Sequence, residues 1–264
     1  AGRNNKLSPI HDKIIEKGGQ MGAYNGWERA NWFAKPGDDT SEASTQTWKR
    51  EGPWFQRIKE ECLAVNSDVG VLDLPGFARY HVSGVGAGDW LLSQIVGGLP
   101  AVNRISLGYF SDERGRVLTE MSIMNFGKDE FTLITAGSAQ WHDLEVLKKG
   151  ITEGSKINVV DQTEEWFCLI VTGPKSRNLM SKISNADLEL PWLSLQRVKI
   201  LNKDVLLARV SYAGELGWEI HVRKQDLREV YDLVISEGAT PFGMFALDSL
   251  RVEKGYRAWK GDLS

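Results

Sequence analysis

Hydrophobic positions along the chain recur at helix spacing in some segments and at strand spacing in others. A short first helix is predicted after Ser8-Pro9, because Ser8 can cap it and Pro9 suits its first turn, and Gly18-Gly19 should end it. Further helices are predicted over residues 53–66, 87–96, 140–149, 175–183, 226–237 and 244–256. Strands are predicted over residues 78–82, 105–110, 116–124, 131–135, 166–171, 197–201, 205–212 and 218–222. Strand hairpins interspersed with helices favour an α+β fold over a regular βαβ repeat.

The stretch from residue 20 to residue 52 follows neither spacing. It combines turn residues with aromatic side chains, which are Tyr24, Trp27, Trp32, Phe33 and Trp48. We predict a long irregular segment there, and its aromatic surface should be covered by other parts of the protein.

Composition excludes several classes of protein. The chain has 264 residues, of which 42% are hydrophobic and 25% charged, and its net charge is −3, as is ordinary for a folded globular protein. No Lys/Arg cluster indicates a nucleic-acid-binding face, and apolar runs such as residues 166–172 are too short to span a bilayer. Cys62 and Cys168 lie too far apart for a CxxC pair, so no disulfide framework is expected and a cytoplasmic location fits best.

Common cofactor and metal motifs are missing from the sequence. Gly84-Val-Gly86-Ala-Gly88 follows a predicted strand, but Asp89 stands where the dinucleotide fingerprint needs its third glycine, so we interpret the segment as a plain turn. No metal site is expected, because no histidine has a partner at ligand spacing. The four histidines are His11, His81, His142 and His221. Both cysteines are interpreted as small buried hydrophobic residues.

Two predicted strands carry carboxylates between apolar neighbours. Glu219 is flanked by Trp218 and Ile220, and strand alternation puts the carboxylate on one face and both neighbours on the other. Glu120 and Ser122 share one face of another predicted strand. A carboxylate on an apolar face costs free energy unless it is paired, which favours a binding role. A solvated outer face explains each pattern equally well, so the spacing leaves both interpretations open.

Four segments carry a more specific signal. They are Gly26-Trp-Glu-Arg-Ala-Asn-Trp-Phe33, Gly115-Arg-Val-Leu-Thr-Glu120, Tyr212-Ala-Gly-Glu-Leu-Gly-Trp-Glu219 and residues 242–256. Together they resemble the aminomethyltransferase (glycine cleavage T-protein) family, and more closely the folate-binding portion of dimethylglycine and sarcosine dehydrogenases. The resemblance implies a T-protein-like fold of two intertwined mixed α/β subdomains. It also implies a lead-in helix and Trp-rich segment over residues 1–55, followed by a folate-binding domain over residues 56–264.

The resemblance implies tetrahydrofolate as the cofactor and assigns it five residues. Glu219 matches the carboxylate that accepts two parallel donors from the pterin edge, and Tyr212 matches the tyrosine beside the pterin. Glu120 matches the catalytic carboxylate, which stabilises positive charge during one-carbon transfer or relays a proton. Ser122 and, more weakly, Thr135 match residues that line the same pocket.

The function implied is a folate-dependent one-carbon transfer in the demethylation of a methylated amine such as dimethylglycine or sarcosine. FAD would act in another domain or subunit, because this chain has no dinucleotide fingerprint. The alternatives are a T-protein aminomethyltransferase, a direct folate-dependent demethylase, and a folate-binding module without catalysis. Glu120 replaces the aspartate of T-proteins, and Leu247 replaces an arginine, which favours the dehydrogenase-like alternative.

Family members continue beyond the last matching segment into a β-barrel domain. The resemblance therefore implies that the C-terminal β-barrel is absent from this sequence. It also implies that Trp27 and Trp32 contribute aromatic surface that neighbouring domains would cover, so the isolated chain should expose apolar patches.

Overall fold

The computed structural model describes residues 3–41, 51–259 and 261–263, so Trp48 lies outside the described residues. The helices are α1 His11–Glu16, α2 Phe55–Ser67, α3 Ala87–Gln94, α4 Gln140–Lys149, α5 Ser176–Ile183, α6 Leu227–Ser236 and α7 Met244–Glu253. The strands are β1 Gly19–Tyr24, β2 Trp27–Phe33, β3 Gly70–Asp73, β4 Phe77–Ser83, β5 Ile95–Val96, β6 Arg104–Ser111, β7 Val117–Gly127, β8 Glu130–Ala136, β9 Asn158–Asp161, β10 Trp166–Thr172, β11 Leu195–Ile200, β12 Lys203–Ala208, β13 Gly217–Arg223 and β14 Thr240–Pro241. Among the described residues, no helix has the length and apolar character needed to cross a membrane.

The chain divides into two compact units that alternate along the sequence. Unit 1 contains Ala1–Pro75, Phe167–Leu190 and Arg197–Ser264, and unit 2 contains Gly76–Trp166 and Pro191–Gln196. The expectation of two intertwined α/β subdomains is confirmed, because the chain leaves unit 1, returns to it, and leaves it a second time. A domain boundary between residues 55 and 56 stays a prediction.

Unit 1 contains a six-stranded sheet in the order β11-β12-β13-β10-β3-β14. Trp218, Ile220 and Val222 of β13 point into an apolar cluster on one face, to which helices α5 and α6 contribute. The other face carries a second apolar cluster that includes Ile170 of β10 together with side chains of α2 and α7. Both faces of this sheet are therefore covered within unit 1.

The N-terminal aromatic residues form a hairpin, so the prediction of an irregular segment over residues 20–52 is wrong for residues 20–33. Strands β1 and β2 pair antiparallel from Gly19 opposite Phe33 to Tyr24 opposite Trp27. Asn25 and Gly26 both have positive φ, at 54° and 86°, as a two-residue hairpin turn requires. Continuous burial of β2 hid the strand from a search for alternation, because both of its faces are covered.

Trp27 and Trp32 do not form an exposed aromatic surface that another domain would have to cover. Only 4% of Trp27 and 1% of Trp32 is exposed, and Trp27 belongs to the core of unit 1. The ring of Trp27 meets Phe167 edge-on at a centroid distance of 5.7 Å. Both indole rings are buried within unit 1 itself. The expectation that other domains cover them is therefore wrong.

Two buried carboxyls lie in unit 1 and were not singled out in the sequence. Glu61 of α2 accepts hydrogen bonds from the amide of Phe33 at 2.7 Å and from the amide of Gly243 at 2.8 Å. Burial raises the pKa of Glu61 to about 7 despite these two donors. Burial also raises the pKa of Asp73, at the end of β3, to about 7, and one of its oxygens has no hydrogen-bond partner.

Unit 2 contains the second six-stranded sheet, in the order β5-β6-β7-β8-β4-β9. Helices α3 and α4 contribute to one apolar cluster on it, which also holds Met121 and Ile123 of β7. Glu120 and Ser122 alternate with these two residues along β7 and therefore point to the opposite face. The short strands β3 and β9 were not predicted, whereas α4 has the predicted bounds.

Candidate functional site

In unit 1 the central candidate is Glu219, in the middle of β13. Its side chain is 20% exposed and points to the face of the sheet that carries Ile170 and the helices α2 and α7. Oε2 of Glu219 lies 3.1 Å from Nε2 of His221, whose side chain is 4% exposed. In this contact Nε2 of the imidazole donates and the carboxylate accepts in the tautomer that carries its proton on Nε2. The interpretation as a solvated outer face does not fit this half-buried, partnered carboxylate.

Tyr212 packs against the same apolar cluster. Its ring is stacked with that of Tyr256, at a centroid distance of 6.3 Å and an interplanar angle of 17°. Leu247, which stands where T-proteins have arginine, is buried within this cluster. Two of the predicted cofactor-binding residues, Tyr212 and Glu219, are therefore brought to one face of the unit 1 sheet.

The glycines between these residues are explained by close approaches of the chain. Gly214 has a φ of 79°, and a Cβ there would lie 2.3 Å from the side chain of Lys254. Lys254 forms an ion pair with Glu215 at 2.9 Å. A Cβ at Gly217 would lie 2.9 Å from Oγ1 of Thr172. These contacts attach the turn that carries Tyr212 to helix α7 and strand β10.

In unit 2 the central candidate is Glu120 of β7. Tyr109 lies directly opposite it on β6, and Ser122 lies opposite Leu107. Burial, together with the carboxylate of Glu120, raises the pKa of Tyr109. Leu107 is 53% exposed, so this face of the sheet is open within unit 2. Glu120 and Ser122 are brought together there as predicted by strand alternation.

Thr135 is on the other face of the unit 2 sheet. Ser122 pairs with Ile134, so the side chain of Thr135 points away from Glu120 and Ser122. Its hydroxyl donates to Oδ2 of Asp143 at 2.8 Å and lies 3.1 Å from the backbone oxygen of Glu120. A role of Thr135 in cofactor binding stays a prediction, and the contacts observed are those of a structural residue.

Sequence reasoning also missed Asp143, a polar residue of unit 2. It is fully buried on α4, and Oδ2 accepts hydrogen bonds from Thr119 at 2.9 Å and from Thr135 at 2.8 Å. Oδ1 lies 2.8 Å from Nδ1 of His142. Thr119 is the neighbour of Glu120 in sequence, so these bonds fix the strand that carries Glu120. The sequence did contain one indication of a buried acceptor such as Asp143. Thr119 and Thr135 lie on neighbouring strands and both point to the buried face of the sheet, where their hydroxyl groups require an acceptor.

The paired sheets and their connections define a T-protein-like fold, which confirms the predicted fold class. The solved glycine cleavage system aminomethyltransferase T from Bartonella henselae matches with a TM-score of 0.82, at 20% identity, over 98% of this chain and 65% of that chain. The chain belongs to the family of GCVT N-terminal domains, whose family model matches residues 10–264.

Curated relatives agree with this family. Dimethylglycine dehydrogenase, mitochondrial, from Rattus norvegicus is 32% identical over 260 residues, which cover 96% of this chain and 30% of that protein. Aminomethyltransferase from Thermus thermophilus is 28% identical over 214 residues, which cover 80% of this chain and 61% of that protein. The resemblance inferred from the sequence motifs is thereby confirmed. This chain spans about a third of the length of the dehydrogenase that it matches.

Proposed function

We propose that the chain carries out tetrahydrofolate-dependent one-carbon transfer in the demethylation of a methylated amine of the dimethylglycine or sarcosine type. Family membership and the 32% identity to a dimethylglycine dehydrogenase support this proposal. The observation that carries it is the carboxylate of Glu219, half-buried on the sheet face that carries the apolar cluster with Ile170 and held there by His221.

The residues of unit 1 fit the edge of a pterin. A pterin presents a ring N–H and an amino group as parallel donors, and one carboxylate can accept both. His221 holds Glu219 through a single oxygen, at 3.1 Å, and a carboxylate has further lone pairs for other donors. Because the fold already orients this carboxylate, little conformational entropy is lost when a ligand binds. The stacked rings of Tyr212 and Tyr256 add a flat aromatic surface to the same unit.

The residues of unit 2 fit a role in chemistry. Tetrahydrofolate, when bound, supplies the amine nitrogens that carry the one-carbon unit. We assign to Glu120 the stabilisation of positive charge or the transfer of a proton during that step. Tyr109 lies directly opposite this carboxylate on β6, and the carboxylate contributes to the raised pKa of Tyr109. Ser122 adds a hydroxyl to the same open face of the sheet.

Under this proposal the methylated amine is oxidised at a site that does not belong to this chain. We propose that FAD binds to another domain or to a partner subunit, and that the chain works in a reducing compartment such as the cytoplasm. T-protein aminomethyltransferase activity is the second candidate, favoured by the relative from Thermus thermophilus. A folate-binding module without catalysis is the third, and it would bind tetrahydrofolate without any dependence of turnover on Glu120.

The decisive experiment is a calorimetric titration of the chain with tetrahydrofolate. We expect binding to the native protein and a loss of at least about a hundredfold in affinity for Glu219→Gln, because a carboxamide offers one acceptor where the carboxylate offers two. The matched control is Asp204→Asn, on the neighbouring strand β12, whose side chain is 88% exposed. Equal affinity of the native protein and Glu219→Gln, or no binding by the native protein, would contradict the proposal.

A further inference from the structure

Three side chains with metal-binding atoms come together on neighbouring strands of unit 1. They are Cys168 of β10 and the pair Glu219 and His221 of β13, and one ligand atom from each lies within 4.8 Å of the other two. Strands β10 and β13 are adjacent in the sheet. Sequence spacing does not indicate this group, because Cys168 is remote from the other two residues and the sheet order alone makes them neighbours.

The chemistry of the three groups is that of a zinc ligand set. Thiolate sulfur, imidazole nitrogen and carboxylate oxygen are all common ligands of Zn²⁺, and three protein ligands leave one tetrahedral position for water. A thiolate and a carboxylate carry two negative charges, which balance those of a divalent cation. That balance matters here, because His221 is buried and the other two residues are half-buried, and buried charges need a partner.

The position of the group also favours a defined site. All three residues lie within strands that are hydrogen-bonded into the sheet, and sites on such elements hold their geometry better than sites on loops. Oε2 of Glu219 and Nε2 of His221 are already 3.1 Å apart, a separation that two ligands of one ion can keep. Glu219 is the carboxylate assigned to the pterin, so an ion bound there would take its lone pairs.

We propose that Cys168, Glu219 and His221 form a binding site for a divalent transition metal of the Zn²⁺ type, and that metal and tetrahydrofolate exclude each other at Glu219. Occupation forms Zn–S, Zn–N and Zn–O bonds. The thiol of Cys168 releases its proton to solvent, and the imidazole proton moves from Nε2 to Nδ1 when Nε2 is the ligand atom. The metal site itself is independent of the proposed function, and only the competition rests on it.

Cobalt substitution tests the metal site directly. We expect Co²⁺, added to the chelator-treated full chain, to give a thiolate-to-cobalt charge-transfer band that excess Zn²⁺ abolishes. Cys168→Ser should remove the band, and His221→Ala should lower cobalt affinity at least about tenfold. The matched control is Cys62→Ser, because Cys62 is also half-buried and packs against the same apolar cluster as Cys168. Absence of the band from the native protein, or its survival in Cys168→Ser, would overturn the site.

Alkylation of the native protein provides the second measurement, which needs no variant. Zn²⁺ should slow the reaction of Cys168 with iodoacetamide at least about tenfold, because a metal-bound thiolate is a poorer nucleophile than a free one. Cys62 should react at the same rate with and without the ion, and peptide mass spectrometry distinguishes the two cysteines. Equal protection of both, or of neither, contradicts binding at Cys168.

Competition with folate is tested last. A saturating concentration of Zn²⁺ should weaken tetrahydrofolate binding to the native protein at least about tenfold and leave the affinity of Cys168→Ser unchanged. A cobalt band with undiminished folate affinity would overturn the competition while the metal site stands. No folate binding in either condition would instead contradict the proposed function, and the cobalt band would still decide the metal site.

Discussion

Two half-buried carboxylates, each on a six-stranded sheet, differ in the surroundings that hold them in place. Glu219 lies on a face that is packed with helices α2 and α7, and a buried histidine on its own strand holds it. Glu120 lies on a face that is open within its unit, and Tyr109 on the neighbouring strand lies directly opposite it. Under the proposed function, the first arrangement fixes an acceptor for recognition of the pterin, whereas the second leaves the acid accessible for charge stabilisation or proton transfer.

The buried aspartates of the two units differ as well. Asp143 of unit 2 has hydrogen bonds to two threonines and a contact to His142. Asp73 of unit 1 has one oxygen without a partner, and burial raises its pKa to about 7. Unit 2 thus uses its buried acid to connect strands and a helix, whereas unit 1 holds a buried acid that is costly to ionise.

The largest effect expected concerns catalysis by Glu120. Glu120→Gln should reduce one-carbon transfer by about a hundredfold to ten-thousandfold, because a carboxamide neither carries a charge nor relays a proton, and should change tetrahydrofolate affinity by less than about twofold. The measurement is the folate-dependent yield in an assay coupled to flavin-dependent dimethylglycine oxidation. The control is Glu113→Gln, in the turn before β7. Equal turnover by Glu120→Gln and the native protein would remove Glu120 from the mechanism.

The next effect concerns the stability of unit 2. Asp143→Ala should lower the free energy of unfolding by about 3 kcal/mol, because the buried hydroxyl of Thr119 would lose its acceptor and that of Thr135 would keep only the backbone oxygen of Glu120. Urea denaturation measures this loss, and Glu145→Ala, an exposed position on the same helix, is the control. A loss no greater than that of the control would show that the hydroxyls find other acceptors.

An effect that is smaller for each residue involved concerns the pH dependence of stability in unit 1. The pKa values of Glu61 and Asp73 are raised to about 7 in the folded state, so the folded protein binds more protons than the unfolded chain between about pH 4 and 7. Their contribution to stability is therefore full below that range and is lost as pH rises to 7. We expect the free energy of unfolding to fall by about 2 kcal/mol per group between pH 5 and 7.

The variant Asp73→Asn tests whether ionisation of Asp73 causes part of this fall in the free energy of unfolding. It cannot ionise, so it should remove about half of the decline, whereas Asp204→Asn at an exposed position should leave the decline unchanged. Stability measured by urea denaturation at pH 5, 6, 7 and 8 provides the comparison. A stability that rises over this range in the native protein would contradict the assignment.

The smallest effect concerns Tyr109. Tyr109→Phe removes the hydroxyl of the residue opposite Glu120, whose pKa this carboxylate helps to raise, and should slow transfer by about threefold to tenfold, the value of one polar interaction with a charged group that is partly solvated. Turnover in the coupled assay measures it, with Tyr212 left intact so that folate binding stays constant. An effect as large as that of Glu120→Gln would mean that Tyr109 itself takes part in proton transfer.

Regular amphipathic elements could be predicted from the sequence, and elements with two covered faces could not. Helix α4 has the predicted bounds because one of its faces packs and the other is solvated. Strand β2 was missed because four consecutive residues are buried, which removes the alternation. The Asn25-Gly26 turn was a usable signal for that hairpin, because both residues have positive φ.

The site was predictable to the extent that it follows motif and alternation. Alternation placed Glu120 with Ser122 on one strand face, and the family motif identified Glu219 and Tyr212 by resemblance. Asp143 and the proximity of Cys168 to Glu219 and His221 depend on which elements are neighbours in space. Sequence spacing does not contain that information, because these contacts join residues of different helices and strands.

The order of strands in unit 1 has a consequence for how the protein is made. Strand β3 pairs with β10 and with β14, so this sheet is complete only when residue 241 has left the ribosome. Unit 2, by contrast, draws all six of its strands from residues 76–166. The sheet of unit 2 can therefore form during synthesis, before strands β10 and β14 have been made. Strand β3 can pair only after these two later strands have been synthesised.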